Sequence, residues 1–174
     1  MLLRGINLGP HKRVPMPALR KLLGDAGFGE VRTYVQSGNV VLCTEVPPAE
    51  LAAQCERLIA DHFGFEVAVV TRTRDELAEI VKRDPFGEVA DDPKRYVVHF
   101  LSSEPDPQAV EQLMGLANRE ERCTAIDREL YSWHPNGIAR SKLAAELARH
   151  GRLGATVTAR NWTTVCQLLT IADE

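Results

Sequence analysis

The sequence lacks the features that mark several classes of protein. Its 174 residues include only four cysteines, at positions 43, 55, 123 and 166, with no Cys-x-x-Cys pair and no paired histidine spacing. Structural zinc sites are usually built from such short clusters, so we expect no metal site. Four cysteines are also few for a disulfide scaffold, which favours reduced thiols and a cytoplasmic location.

Long apolar runs and excess positive charge are also missing. No segment reaches the roughly 18 apolar residues of a membrane span, so we expect no membrane association. Lys and Arg number 21 against 24 Asp and Glu, and a formal net charge of −3 makes nucleic acid a disfavoured partner. The first 24 residues contain five basic residues and no acidic residue. Glycines and prolines interrupt any long helix there, so we expect no targeting peptide.

The composition that is present belongs to an ordinary folded, soluble protein. Hydrophobic residues make up 44% of the chain and charged residues 26%. A chain of this length buries about 70% of its unfolded surface, so it needs neither a metal nor a disulfide to fold.

The order of the predicted elements repeats along the chain. Residues 1–84 follow the order β-α-β-β-α-β and add a connecting helix, and residues 85–174 repeat that order and add a C-terminal helix. Thr71 and Thr158 precede the two added helices at an offset of 87 residues, half of the chain. We predict an α+β fold, a tandem duplication of a ferredoxin-like (βαββαβ) unit packed as one compact body. Each half should carry a four-stranded antiparallel sheet with helices on one face.

Several element boundaries follow from the same patterns. Leu2–Ile6 is predicted as the first strand and Ala155–Thr158 as the last. Pro107–Ala117 is predicted as a helix with Met114 facing inward, and Ser141–His150 as a second helix of that half.

Three segments are denser in glycine and polar residues than packing requires. The first runs from residue 4 to residue 12. A glycine beside a strand end lets the backbone approach a ligand closely, and Arg4 and Lys12 can neutralise an anion. The segment is neither G-x-G-x-x-G nor a P-loop, so we expect no nucleotide cofactor, and indeed no cofactor of any kind. A turn with solvated charges explains the segment equally well.

The second segment is residues 36–39, Gln-Ser-Gly-Asn. Such residues are typical of a hairpin turn, in which Gly38 takes a positive φ. A purely structural turn is the favoured interpretation of this segment taken alone.

The third segment combines residues 140–142 with residues 158–164. Asn161 stands where a helix N-cap is expected. Arg160 lies beside that helix start, where unpaired N–H groups and the helix dipole favour an anion. The candidate ligand-binding residues of all three segments are Arg4, Gly5, Asn7, Lys12, Ser37, Gly38, Asn39, Ser141, Lys142, Arg160, Asn161, Trp162 and Thr163.

The leading hypothesis is a small-molecule site for an anionic group, a phosphate or a carboxylate. We expect the 4–12 segment to converge with the 160–164 segment near the junction of the two halves. No catalytic residue is assigned, because the partners of a catalytic set meet in space rather than along the chain, and the five histidines make no H-x-x-x-H pair. The alternatives are a nucleic-acid-binding module, by analogy with other ferredoxin-like folds, or a protein-interaction scaffold. Tyr131 and Trp133 could stack bases, but packing in a core or an interface is the favoured interpretation of both.

The same segments resemble the signature blocks of a bacterial family called domain of unknown function 1697. The blocks are residues 2–9, 33–40, 141–143 and 158–164, and their order and spacing match along the chain. The resemblance implies two ferredoxin-like subdomains and implies no activity. Members usually carry several residues before the first block, whereas Met1 directly precedes it here. We therefore expect a shortened first strand, or a natural start that lies upstream.

Overall fold

The chain forms two compact units. The computed structural model describes residues 1–149 and 153–174. The first unit comprises Met1–Glu76 together with Leu168–Glu174, and the second comprises Leu77–Gln167. None of the helices in these described ranges is long and apolar enough to cross a membrane.

The first unit has the predicted order of elements. Its elements are β1 (Leu2–Leu3), α1 (Met16–Asp25), β2 (Gly29–Tyr34), β3 (Asn39–Cys43), α2 (Pro48–Phe63) and β4 (Val69–Val70). The four strands form an antiparallel sheet in the order β2-β3-β1-β4. Helix α3 (Arg74–Arg83) follows, and its residues are divided between the two units.

The second unit repeats this arrangement. Its elements are β5 (Tyr96–Leu101), α4 (Pro107–Met114), β6 (Arg122–Ile126), β7 (Glu129–Trp133), α5 (Lys142–Leu147) and β8 (Val157–Asn161). Its sheet is antiparallel in the order β6-β7-β5-β8, which is the order of the first sheet. Helix α6 (Trp162–Asp173) ends the chain. The predicted α+β fold with a duplicated unit is confirmed. The division of the chain into subdomains 1–84 and 85–174 is taken from the sequence repeat and stays a prediction.

In each unit, helices pack on one face of the sheet. Leu3, Val40 and Val69 come from three strands of the first sheet and share a core with Leu19 of α1 and Ile59 of α2. Burying such aliphatic side chains contributes roughly 1.5–3 kcal/mol each. In the second unit the corresponding core joins residues from three strands to residues of α4 and α5, namely Leu101, Leu130, Val157, Val110, Leu113, Leu143 and Leu147.

Proline and glycine mark the two ends of helix α2. Helix α2 begins at Pro48, because proline costs nothing in a first turn whose N–H has no helical partner. It ends at Phe63, and the following Gly64 has a left-handed φ of 77° and donates its N–H to the Ala60 carbonyl.

Three predicted boundaries in the described residues are wrong. Strand β1 ends at Leu3 rather than at residue 6, because Gly5 at φ 64° turns the chain away from the sheet. Helix α4 ends at Met114, whose side chain is 41% exposed rather than buried. Strand β8 covers residues 157–161 instead of 155–158, because its pairing with β5 continues to Asn161. The predicted end of the α5 helix, His150, lies outside the described residues.

The internal repeat has a spacing of 88 residues, not 87. Arg72 donates from Nη1 to the carbonyl oxygen of Thr71 at 2.7 Å, and Arg160 donates from Nη1 to that of Ala159 at 2.7 Å. Each arginine therefore folds back on the residue before it, and the two lie 88 residues apart.

The helix caps agree with this corrected spacing. Thr73 Oγ1 accepts the N–H of Glu76, and Asn161 Oδ1 accepts the N–H of Thr164 at 2.9 Å. Thr73 and Asn161 are thus equivalent N-caps. The predicted equivalence of residues 71 and 158 is wrong, because residue 71 follows β4 whereas residue 158 lies inside β8.

Candidate functional site

Asn7 shapes the loop that follows β1. Its φ is 56°, a left-handed conformation that asparagine tolerates better than most residues. Its backbone N–H donates to the Lys12 carbonyl, and its Oδ1 accepts the N–H of Val14 at 2.9 Å. Its Nδ2 donates to the carbonyls of Val14 at 3.0 Å and Gln36 at 2.7 Å. Asn7 therefore closes the first candidate segment and joins it to the second.

The second segment is a turn packed closely against β1. Gly38 has a φ of 77°, as predicted, and its carbonyl accepts the N–H of Leu3 at 2.8 Å. Asn39 is fully buried and donates from Nδ2 to the Tyr34 carbonyl at 3.0 Å and to Ser37 Oγ at 2.9 Å. The contacts of Gly38 and Asn39 are those of a structural turn.

Arg4 and Lys12 converge on one short segment before β4. The backbone N–H of Arg4 donates to the Ala68 carbonyl at 2.9 Å, and Nζ of Lys12 donates to the Glu66 carbonyl at 2.9 Å. The two bonds therefore place the backbone of Arg4 and the ammonium of Lys12 on carbonyls that are two residues apart in sequence. The first unit thus brings together the cations that the sequence singled out in its first segment.

The guanidinium of Arg4 is partly buried, and residues 1–149 and 153–174 give it no hydrogen-bond partner. Within the described ranges, no carboxylate or carbonyl accepts a hydrogen bond from it, and burial lowers its pKa from the ordinary value. The adjacent Gly5 has a φ of 64°, and a Cβ built on it would meet nothing within 4 Å. The surface beside Arg4 is therefore open.

In the second unit, Arg160 is buried and forms hydrogen bonds within the fold. It is 8% exposed, donates from Nη1 to Thr158 Oγ1 at 2.9 Å, and has its pKa lowered to about 10 by burial. Trp162 stacks on Tyr96 with ring centroids 4.6 Å apart and planes 14° apart. Thr163 is exposed. Asn161 is the predicted N-cap, and that prediction is confirmed by its bond to the Thr164 N–H.

Ser141 and Lys142 lie at the start of α5 and differ in their surroundings. Ser141 is buried, and its Oγ accepts the Ala144 N–H at 3.0 Å as an N-cap. Its hydroxyl also bonds the carboxylate of Glu121. Lys142 is exposed. Ser141 is therefore a structural residue of this unit.

A buried polar network in the second unit was not foreseen from the sequence. Glu121 Oε1 lies 2.9 Å from Nδ1 of His134, whose Nε2 lies 2.9 Å from Ser132 Oγ. Nε2 of His99 lies 3.1 Å from the same hydroxyl. All four residues are buried, with exposed fractions of 6% or less. We call these four residues the buried network.

Charge in the buried network is controlled by its surroundings. Burial acts to raise the pKa of Glu121, but hydrogen bonds from Ser141, the Asn118 N–H and His134 outweigh it and lower that pKa. Burial and the neighbouring His134 lower the pKa of His99 to about 3. Glu121 is therefore a carboxylate and His99 a neutral imidazole at physiological pH.

Alternation along β7 places Ser132 and His134 on one face, and the sequence carries that signal. Glu121 precedes His134 by 13 residues and His99 precedes Ser132 by 33. Only the fold joins them. Across the described part of the chain, no group of three His, Cys, Asp or Glu residues is placed to hold a metal ion.

Two further expectations concern base stacking on Tyr131 and Trp133 and the convergence of the 4–12 and 160–164 segments. Tyr131 and Trp133 are 0% and 4% exposed, so they pack in the interior and offer no face on which a base can stack. The 4–12 and 160–164 segments belong to different units, and their convergence stays a prediction.

Comparisons with known proteins agree with this architecture. A family model described as a protein of unknown function (DUF1697) matches residues 1–131. The solved structure of the conserved bacterial protein SP0830 from Streptococcus pneumoniae is similar, with a TM-score of 0.77 and 20% sequence identity. The similarity covers 98% of this chain and 96% of that one, and at this identity it shows a shared fold alone. A search of curated proteins finds no significant match.

Proposed function

The chain belongs to the DUF1697 family, whose description assigns no function, and from its own residues we propose that the first unit binds a small anion at Arg4. The ligand group is a phosphate or a carboxylate. The observation that carries the proposal is a guanidinium held partly out of water with no acceptor among the described residues.

Three other arginines of the described residues are paired with acidic side chains. Arg32, Arg74 and Arg83 each pair with at least one carboxylate. Taking a charge out of water is unfavourable unless a counter-charge or hydrogen bonds offset it. Arg4 is partly desolvated, no carboxylate in the described ranges pairs with its guanidinium, and a bound anion would supply the missing counter-charge.

The chemistry around Arg4 suits an oxyanion. A guanidinium presents parallel N–H donors that match two oxygens of a carboxylate or phosphate. Nζ of Lys12 donates one hydrogen bond to the Glu66 carbonyl, and its ammonium adds a second positive charge to the proposed site. The open space over Gly5 leaves room for the ligand. In this proposal Asn7, Gly38 and Asn39 hold the two loops in place.

The proposal is a binding function. The second-unit cations Lys142 and Arg160 join the site only under the predicted convergence of the segments, which stays a prediction. Neither a nucleophile nor a base is assigned beside Arg4, so catalysis is no part of the proposal.

Thermal unfolding in sodium phosphate, compared with sodium chloride at equal ionic strength, tests the proposal. A ligand at about 100 times its dissociation constant adds roughly 2.7 kcal/mol of stability, which raises Tm by roughly 5–10 °C in a chain of this length. We expect that rise in the wild type and its loss in Arg4→Met. In chloride alone, Arg4→Met should unfold at the wild-type temperature or above it, because an uncompensated charge has been removed.

Arg57→Met is the matched control, since it removes the same charge from an exposed position on α2. It should keep the full phosphate effect. Equal loss in both variants would mean that phosphate acts through general charge screening. An Arg4→Met chain that is strongly destabilised in chloride would show that Arg4 has a structural partner and no ligand role.

A further inference from the structure

The hydrogens of the buried network can be placed by elimination. The Glu121 carboxylate can only accept, so His134 carries its proton on Nδ1. Nε2 of His134 accepts the hydroxyl proton of Ser132, because a proton on Nε2 would turn that hydroxyl toward His99 and leave Nδ1 of His99 as a buried donor without an acceptor. Ser132 Oγ in turn accepts from His99, which therefore carries its proton on Nε2. Every hydrogen in this arrangement has an acceptor.

The arrangement leaves one lone pair over, on Nδ1 of His99. That atom is buried and has no hydrogen-bond partner in the part of the chain that the structure describes. An unused acceptor is tolerated more readily than an unused donor, because a buried N–H without an acceptor loses its full hydration. The network is thus satisfied in one protonation state.

An added proton breaks the pattern at either histidine. On His99 it must go to Nδ1, where no acceptor is present. On His134 it must go to Nε2, which then faces the Ser132 hydroxyl as a second donor. The hydroxyl can turn only toward His99, which then has to move its own proton to Nδ1. Each route ends in a buried donor without an acceptor.

The network also holds two neighbouring parts of the second unit. Glu121 accepts the Asn118 N–H at 3.0 Å and fixes the segment that enters β6. It also bonds the hydroxyl of Ser141, which caps α5 through the Ala144 N–H. The segment before β6 and the start of α5 are therefore fastened to β5 and β7 through Glu121.

We infer that the buried network is an acid-sensitive latch: it holds residues 118–122 and the start of α5 closed while the His99 imidazole is neutral, and it releases them when His99 takes up a proton. The inference is independent of the anion site, which lies in the other unit.

Among the residues that the structure describes, few other titratable groups face the network. Cys123 lies opposite Ser132 in the strand register, and burial and Glu121 raise its thiol pKa to about 12, so it stays neutral. The Arg122 guanidinium donates to the carbonyl of Glu121 rather than to its carboxylate. Lys142, at the start of α5, is exposed.

The direction of the pH response follows from the shift at His99. Its pKa is lowered from 6.5 to about 3 in the closed unit and returns toward 6.5 when the unit opens. The closed form therefore has its full stability above about pH 6.5 and loses it as the pH falls toward 3. The opening constant rises about tenfold per pH unit for each extra proton taken up on opening.

Two measurements on the wild-type chain test the latch. Nitrogen chemical shifts of the imidazoles at pH 7.5 should show His99 protonated at Nε2 and His134 at Nδ1. Hydrogen exchange, corrected for its intrinsic pH dependence, should show the protection of the Ala144 N–H falling about eightfold between pH 6 and 5. The Val40 N–H, bonded to the Met1 carbonyl in the first unit, is the reference and should change less than twofold.

Variants separate the latch from general acid sensitivity. His99→Gln keeps an N–H donor toward Ser132 but cannot titrate, so the fall at Ala144 should shrink to less than about threefold. His62→Gln removes an exposed histidine and should leave the full fall. The opposite tautomers, or equal falls at Ala144 and Val40, would overturn the inference. If His99→Gln does not fold, the imidazole nitrogen shifts and the hydrogen exchange of the wild type still test the inference.

Discussion

Leu3 and Gly38 approach each other so closely that a side chain on Gly38 has no room. The Leu3 N–H donates to the Gly38 carbonyl at 2.8 Å, and a Cβ on Gly38 would lie 2.6 Å from the Leu3 Cβ. The same Cβ would lie 2.9 Å from Cδ1 of Ile6. The glycine of the second candidate segment is thus fixed by contact with β1 as well as by its φ of 77°.

Gly38→Ala should therefore destabilise the chain more than backbone strain alone can. Gly64 has the same φ of 77°, but a Cβ there meets nothing within 4 Å. Gly64→Ala should lower the free energy of unfolding by about 1 kcal/mol, the cost of a left-handed alanine. Gly38→Ala should lower it by about 3 kcal/mol or more, because overpacking is added. Urea denaturation of both variants measures the difference, and equal losses would contradict the close approach.

Asn161→Ala should remove the N-cap of α6. The loss of the bond from the Thr164 N–H should lower the free energy of unfolding by about 1 kcal/mol, and Asn161→Asp should restore most of it. Thr163→Ala is the control, because Thr163 is exposed on the same turn. Chemical denaturation measures all three, and similar losses for Asn161→Ala and Thr163→Ala would argue against capping.

The four thiols should react with a thiol reagent at different rates in the native state. Cys43 is exposed and should react first. Cys55 is fully buried, and burial raises its thiol pKa to about 11, so it should react only on unfolding. Cys123 has a pKa near 12 and should also be slow. Mass-spectrometric labelling at pH 8, with and without denaturant, follows each site. Rapid native labelling of Cys55 would show that α2 is misplaced.

The sequence determined those elements whose signals are local. Tyr96–Leu101 is a strand over the range that its β-branched and aromatic residues predict, and α2 begins at its proline. The N-cap role of Asn161 was predictable because asparagine is a preferred N-cap residue and here precedes the apolar helical pattern of α6. The two-unit fold followed from the repeated order of elements, because strand and helix periods are properties of short windows.

The sequence could not determine features that depend on distant neighbours. Met114 continues the apolar period of Val110 and Leu113 in α4, yet its side chain is 41% exposed, because a helical period alone does not tell which face the fold covers. The repeat spacing of 88 residues became visible only through the matching contacts of Arg72 and Arg160. Patterns of apolar residues do not specify these contacts.

The candidate sites divide in the same way. The sequence by itself singled out Arg4 and Lys12 as cations beside glycines, since composition and order are enough for that. The tertiary structure alone decided that the Arg4 guanidinium has no acceptor in the described ranges, because partners are set by packing. Sheet register likewise brought His99 to Ser132 across 33 residues, and no local pattern in the chain encodes that meeting.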